Sequence, residues 1–210
     1  MIINSTWEFT QLKGLLICIE GIDGSGEGTN ARLLVKKLKK EGYKSSYISF
    51  PDYTTPIGKE IKRFFQGKHN IIPEVRQCLF VANRWERKPE IDEWLNEGRI
   101  VIANRYTPSG LVYGLANGLD LEWMINLERG LPLADMVIVI DVSVDTHFQR
   151  TTKRDVYEKD RRFLERVRTV YLDLAKKFKW KVVDGERQID EVAGNVWELT
   201  SRLIKPSLKS

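Results

Sequence analysis

An apolar run, Leu15-Leu-Ile-Cys-Ile19, passes into glycines at positions 21, 24, 26 and 28, and an amphipathic pattern then leaves through Ala31, Leu33, Leu34, Val35 and Leu38. A strand that enters a helix through glycines converges backbone N–H groups on one point and aims the helix's positive end at it, the layout of a phosphate-binding loop. This constrains the fold strongly, because the loop needs a buried strand before it and a covered helix after it. Gly21 and Gly26 fall in register with the pattern G-x-x-x-x-G-K-[ST], with Asp23, Gly24 and Ser25 between them. The lysine position, however, holds Glu27, and the metal-binding hydroxyl position holds Gly28. Only Thr29, one place later, resembles an ordinary loop of this kind. The backbone cradle is legible, and its side-chain chemistry is altered.

Strand-length apolar runs recur at 15–20, 45–49, 100–104, 136–141 and 181–183. Helical periodicity covers 30–41, 57–65, 73–96, 109–116, 121–128, 144–152, 160–178 and 189–203. Gly42, Gly67 and Gly98 stop helices, Pro73 opens one, and Pro89 is expected to kink or divide the longest. Strands that are apolar almost throughout and separated by helices predict an α/β fold, a five-stranded parallel sheet covered by helices on both faces. Ligands in such folds sit at the carboxyl ends of the strands, and polar residues cluster there: Glu20 to Asp23, Phe50 to Tyr53, Asn104 to Tyr106, and Asp141. With no repeat, linker or low-complexity block, residues 1–210 read as a single domain.

Cys18 and Cys78 are too few for a disulfide framework or a zinc site, so two reduced, buried thiols are expected. The net charge of +5 is modest, and its cations alternate with acids, as in Lys59-Glu60-Ile61-Lys62-Arg63. That pattern is a solvated helix face and argues against a nucleic-acid partner; a small anionic substrate explains the excess equally well. Residues 1–13 lack a basic start followed by an apolar run, and no apolar stretch reaches membrane-spanning length, so a soluble, cytoplasmic protein without a membrane partner is expected.

Several further pieces stand in a telling order. They are Glu20-Gly-Ile-Asp-Gly-Ser-Gly26, Phe50-Pro51 with Ile57-Gly58, and Leu79-Phe-Val-Ala-Asn-Arg-Trp-Glu86. After them come Asn104-Arg-Tyr-Thr-Pro-Ser-Gly110 with Tyr113, Gly130-Leu-Pro132 with Ala134-Asp135, and Arg150 through Arg154-Asp-Val-Tyr-Glu158 to Tyr171. In this order and spacing they resemble the thymidylate kinase family over nearly the whole chain. The resemblance implies a P-loop NTPase-type three-layer sandwich, forming one nucleoside monophosphate kinase domain with a helical lid near 150–160. It implies transfer of the γ-phosphoryl group of ATP to dTMP, giving dTDP and ADP, with Mg²⁺ as cofactor and a homodimer as the assembly.

The resemblance also implies roles by position. Phe80 would stack on thymine, with core packing as the alternative, and Arg84, one helical turn later, would reach a base carbonyl. Arg105 would clamp the acceptor phosphate, where a planar fork suits its oxygens. Phe50, Ser109 and Tyr113 would line the dTMP site, with Tyr113 filling the space of a 2′-hydroxyl. Asp23 would lie near the acceptor sugar and the metal, or simply cap the loop. The donor site would comprise Gly21, Asp23, Gly24, Ser25, Gly26, Glu27, Gly28, Thr29 and Arg150. Lys153 and Arg154 in the lid would join Arg105 as catalytic cations that neutralise the transferring phosphoryl group.

The chain departs from the family at Glu27, Gly28, Asn104 in place of an aspartate, and Tyr53 in place of a common arginine. A carboxylate about 4 Å from a phosphate oxygen repels it by about 4 kcal/mol at an effective dielectric of about 20, where lysine would attract it by a similar amount. Three compensations stay open at this point: Glu27 swings away, Glu27 joins Asp23 as a Mg²⁺ ligand, or Lys153 and Arg154 supply the charge. Two functions follow, a dTMP kinase with unusual or reduced donor chemistry, and a catalytically silent relative that binds nucleotides for regulation or scaffolding.

Overall fold

A computed structural model describes residues 14–68, 71–151 and 160–207. In chain order the elements are β1 (Leu15–Glu20), α1 (Glu27–Lys40), β2 (Ser45–Ser49), α2 (Pro56–Phe65), α3 (Pro73–Asn96), β3 (Ile100–Asn104) and α4 (Thr107–Ala116). They continue as α5 (Leu121–Leu127), β4 (Met136–Asp141), α6 (Val144–Arg150), α7 (Arg161–Phe178), β5 (Lys181–Asp184) and α8 (Ile189–Ser207). The strands form one parallel sheet in the order β2-β3-β1-β4-β5. β1 is its centre, pairing Ile17 with Ile102 of β3 and with Met136 of β4.

Successive side chains of a strand face opposite ways, so β1 serves two cores at once. Leu16 and Cys18 pack with Val101, Ala103, Val137 and Val139 against α3, α4, α5 and α7. Ile17 and Ile19 pack with Ile102, Ile138 and Ile140 against Ala31, Leu34 and Leu38 of α1 and Val192 and Val196 of α8. Each Val, Leu or Ile among them contributes about 1.5–3 kcal/mol by leaving water. The expected sheet covered on both faces is therefore present.

Helix starts are set by local chemistry. Thr55, Asp120, Ser143 and Asp160 accept hydrogen bonds from the first-turn N–H groups of α2, α5, α6 and α7. Two expectations are corrected. α3 is not divided at Pro89 but continues through it as one helix to Asn96, with Val81 and Arg84 before it and Ile91 and Leu95 after it all buried. Cys78 is exposed rather than buried, since it lies on the outer side of α3, whereas Cys18 is buried as expected. No helix among the described residues is long and apolar enough to cross a membrane. The lid residues Lys153 and Arg154 lie outside the described residues.

β1 is also where the strand order turns. Through α1 the chain passes over β3 to the edge strand β2, returns to β3 beside β1, and then crosses β1 to β4 and β5 on the other side, so a crevice opens beyond the carboxyl end of β1.

Candidate active site

The glycine loop fills that crevice. A Cβ on Gly21 would sit 2.4 Å from Ser25 Oγ and 2.6 Å from the Ile140 carbonyl, so no side chain fits where the loop turns off the sheet. Gly26, at φ 92°, precedes α1 in the left-handed region that glycine tolerates best, and Glu27 is the first helical residue. Two side chains of α6 brace the loop from behind. His147, fully buried, places Nδ1 2.6 Å from the Asp23 carbonyl oxygen, which can only accept, so the ring carries its proton on Nδ1. Arg150, exposed, donates to the carbonyls of Gly24 (3.4 Å) and Gly185 (3.2 Å). Thr29 is exposed on α1.

Arg105 follows β3 immediately and holds a left-handed backbone at φ 61°, a strain of about 1–3 kcal/mol for a non-glycine residue. Hydrogen bonds on either side fix it: Arg105 N–H donates to Ile19 (3.0 Å), and Tyr106 N–H donates to Glu20 (2.8 Å). The turn aims the guanidinium at the loop. Arg105 Nη2 donates to Asp23 Oδ1 at 2.7 Å and to Glu27 Oε1 at 3.2 Å, while Ser25 Oγ donates to Glu27 Oε2 at 2.9 Å. Tyr113 accepts weakly from Arg105 (3.5 Å) and donates to Asp23 Oδ2 (3.3 Å). Burial works against the guanidinium's charge, but Asp23, Tyr113 and Glu27 outweigh it and hold the pKa above its ordinary value.

Behind this group lies Glu20, a fully buried carboxylate. It accepts from Tyr106 N–H (2.8 Å), Ser109 Oγ (2.5 Å) and Tyr171 OH (3.0 Å). Burial pushes its pKa up, and these donors together with Arg105 pull it partly back. The Ser109 hydroxyl thus points its proton inward to Glu20.

A cleft of about 250 Å³ joins these residues to α3. Asp23, Glu27 and Arg105 form one end, Phe80, Arg84 and Gly110 the other, with Phe50, Ser109 and Tyr113 between. Phe80 lies 6.0 Å from Phe65 between ring centroids, and Phe50 lies 5.5 Å from Tyr106. Arg84 forms a buried, two-pronged pair with Glu128, Nε to Oε2 at 3.0 Å and Nη2 to Oε1. A Cβ on Gly110 would approach Arg84 Nη2 to 2.8 Å, so glycine keeps this end of the cleft open. Asn104 lines the other end, donating from Nδ2 to Ser49 (2.9 Å), with Oδ1 buried and without a partner among the described residues. Tyr53 also lines the cleft and is 41% exposed.

The structure therefore gathers Asp23, Glu27, Phe50, Phe80, Arg84, Arg105, Ser109 and Tyr113 around one cavity. Sequence reasoning gave no role to Glu20, Glu128 or His147. A lone carboxylate ending an apolar strand was a usable sign for Glu20. Nothing local marked Glu128, whose partner is 44 positions away.

The family model described as thymidylate kinase matches residues 19–196. The chain belongs to the thymidylate kinase family. It is 32% identical over 195 residues to the thymidylate kinase of Dictyostelium discoideum, covering 90% of this chain and 86% of that one. Identity to the thymidylate kinase of Schizosaccharomyces pombe is 36% over 201 residues, covering 92% and 94%. The solved structure of thymidylate kinase from Candida albicans superposes with a TM-score of 0.82 at 30% identity, covering 93% of this chain and 94% of that one.

Thymidylate kinases act with a divalent cation, and the donor set at the loop fits one. Mg²⁺ takes hard oxygens, commonly one or two carboxylates completed by phosphate and water. Asp23 and Glu27 present carboxylate oxygens to a single point, now held by Arg105 Nη2, and Asn104 Oδ1 is an orphaned oxygen at the same end. Among the described residues no cluster of three His, Cys, Asp or Glu side chains adds to them.

Proposed function

We propose that this chain transfers the γ-phosphoryl group of ATP to dTMP, forming dTDP and ADP. The observation that carries the reading is the cleft itself. It has an aromatic and Arg84 end suited to a pyrimidine, and an Arg105 end that opens at the glycine loop. Phe80 offers a stacking face, Arg84 donors for a base carbonyl, and Tyr113 a wall against the sugar. Arg105 orients the acceptor phosphate, while the loop N–H groups and Arg150 receive the donor. Lys153 and Arg154 would bring further positive charge to the transferring group. Asp23 and Glu27 would hold Mg²⁺, which neutralises charge on phosphoryl oxygens when bound. Positioning and charge neutralisation are nearly all that phosphoryl transfer asks of a protein. We take the working form to be a cytoplasmic homodimer of one-domain subunits acting on small nucleotides.

One observation favours the second reading, a nucleotide-binding relative without turnover. Glu27 stands in the lysine's place and pairs with Arg105, so the donor phosphates meet a carboxylate. A coupled assay of ADP release with dTMP and Mg-ATP separates the two. The kinase reading expects dTMP-dependent ADP formation that is lost in Arg105→Ala. Absence of turnover alongside intact dTMP binding would leave the silent relative.

A further inference from the structure

Of the described residues lining the cleft, the cations are Arg84 and Arg105. Arg84 is neutralised by Glu128, buried with it. Arg105 is shared by two carboxylates, at 2.7 and 3.2 Å. Asp23, Glu27 and Arg105 therefore sum to one net negative charge at the end of the cleft that faces the loop. The other side chains there are neutral, Tyr53 and Asn104 among them. Glu27 is seated rather than loose, with one oxygen on Arg105 and the other receiving the Ser25 hydroxyl, and its side chain is only 12% exposed. It also stands at the first turn of α1, where the helix's positive end favours an anion. Its carboxylate occupies the kind of place a phosphate would take, and does so with no ligand needed.

From this arrangement, and resting on the reading of the cleft as a pyrimidine deoxynucleotide site, we infer that Glu27 is a built-in competitor of the acceptor phosphate, so that the cleft takes the uncharged pyrimidine deoxynucleoside nearly as readily as its 5′-monophosphate. A monophosphate, with a charge of about −2 at neutral pH, enters only by displacing Glu27 from Arg105 or by sharing that guanidinium with two carboxylates. A nucleoside meets no such opposition. Its 5′-hydroxyl is a donor, and carboxylates are acceptors with lone pairs to spare. The base and sugar contacts at Phe80, Arg84 and Tyr113 are the same for both ligands. Discrimination thus falls on the single end where Glu27 sits.

Calorimetry with thymidine and with dTMP, in EDTA and without ATP, tests this on the full chain. Wild type should bind the two with dissociation constants within about threefold of each other. Glu27→Gln keeps the shape and removes one negative charge, so it should tighten dTMP about tenfold and leave thymidine within twofold. Glu27→Ala should move dTMP the same way, and thermal melting of both variants confirms that they fold. Wild type that prefers dTMP over thymidine by thirtyfold or more, or a preference unchanged in both variants, overturns the inference while leaving the dTMP reading intact. Failure of wild type to bind either ligand overturns both.

Discussion

At the scale of single residues, Glu27 and Gly28 decide how this chain differs from an ordinary phosphate-binding loop. The glycines announced the cradle locally, because φ and close approach are properties of neighbouring residues. The direction of Glu27 was not legible, because it is set by Arg105, 78 positions away. Of the three compensations open from sequence, the side chain has not swung away: it faces the cleft. The backbone at position 28 leaves room for a Cβ. A Cβ on Gly28 would make an ordinary contact, 3.4 Å from Asn104 Nδ2. A lysine at 27 would free Arg105 from one carboxylate and leave Asp23 to balance it. Turning a repulsion of up to about 4 kcal/mol into an attraction should tighten ATP at least tenfold in Glu27→Lys with Gly28→Thr. We expect the single-turnover rate at saturating Mg-ATP to rise with it. A fall in that rate with dTMP binding intact would instead make Glu27 a catalytic residue through its metal.

At the scale of elements, the corner between β2 and α2 shows what alternation and capping signals can and cannot convey. The strands were legible as apolar runs, and α2 was legible over 57–65, one residue short of its start at Pro56, which Thr55 caps. The clamp that fixes the corner to α3 was not, since Asn83 and Glu86 read as one more stretch of amphipathic helix. Asn83 Nδ2 donates to the Asp52 carbonyl (3.2 Å), Thr55 (2.8 Å) and Glu86 (3.0 Å), and its Oδ1 accepts from Asp52 N–H (2.8 Å). Glu86 also accepts from Ile57 N–H at 3.1 Å. Burial opposes ionisation of Glu86, yet hydrogen bonds from Thr55, Asn83 and Ile57 outweigh it and hold its pKa below the ordinary value. The sign follows. A depressed carboxylate contributes stability that is present above its unfolded pKa of about 4.3 and is lost as pH falls through the lower folded value. Glu86→Gln should therefore cost about 1 kcal/mol at pH 7, with the gap to wild type narrowing below pH ~4. Urea titrations at both pH values check it, and a gap that widened in acid would refute the clamp's ionic character.

At the scale of the whole molecule, the cleft stands on a sheet whose central strand serves both cores, so access to β1 is a measure of global opening. Alternating apolar runs made that architecture readable in advance. Division of α3 at Pro89 and burial of Cys78 were misjudged because helix continuity and helix orientation are decided by packing partners far along the chain. The two thiols now offer a direct test. Cys78 is exposed on α3, whereas Cys18 has no accessible surface, and burial first, then Glu20 and Asp135, raise its pKa well above the ordinary thiol value. β1 is hydrogen-bonded on both sides, to β3 and to β4, so no local fraying exposes Cys18. In the native protein one thiol should react promptly with an alkylating reagent, and Cys78→Ser should abolish that phase. The remaining Cys18 should then label at the rate of global opening, accelerating with urea. Because a ligand bound only to the folded state stabilises it by about 2.7 kcal/mol at one hundred times its dissociation constant, dTMP at that excess should slow Cys18 labelling by on the order of 100-fold. Labelling that ignores dTMP would mean that β1 opens without dismantling the cleft, and the shared-strand account of how fold supports site would fail.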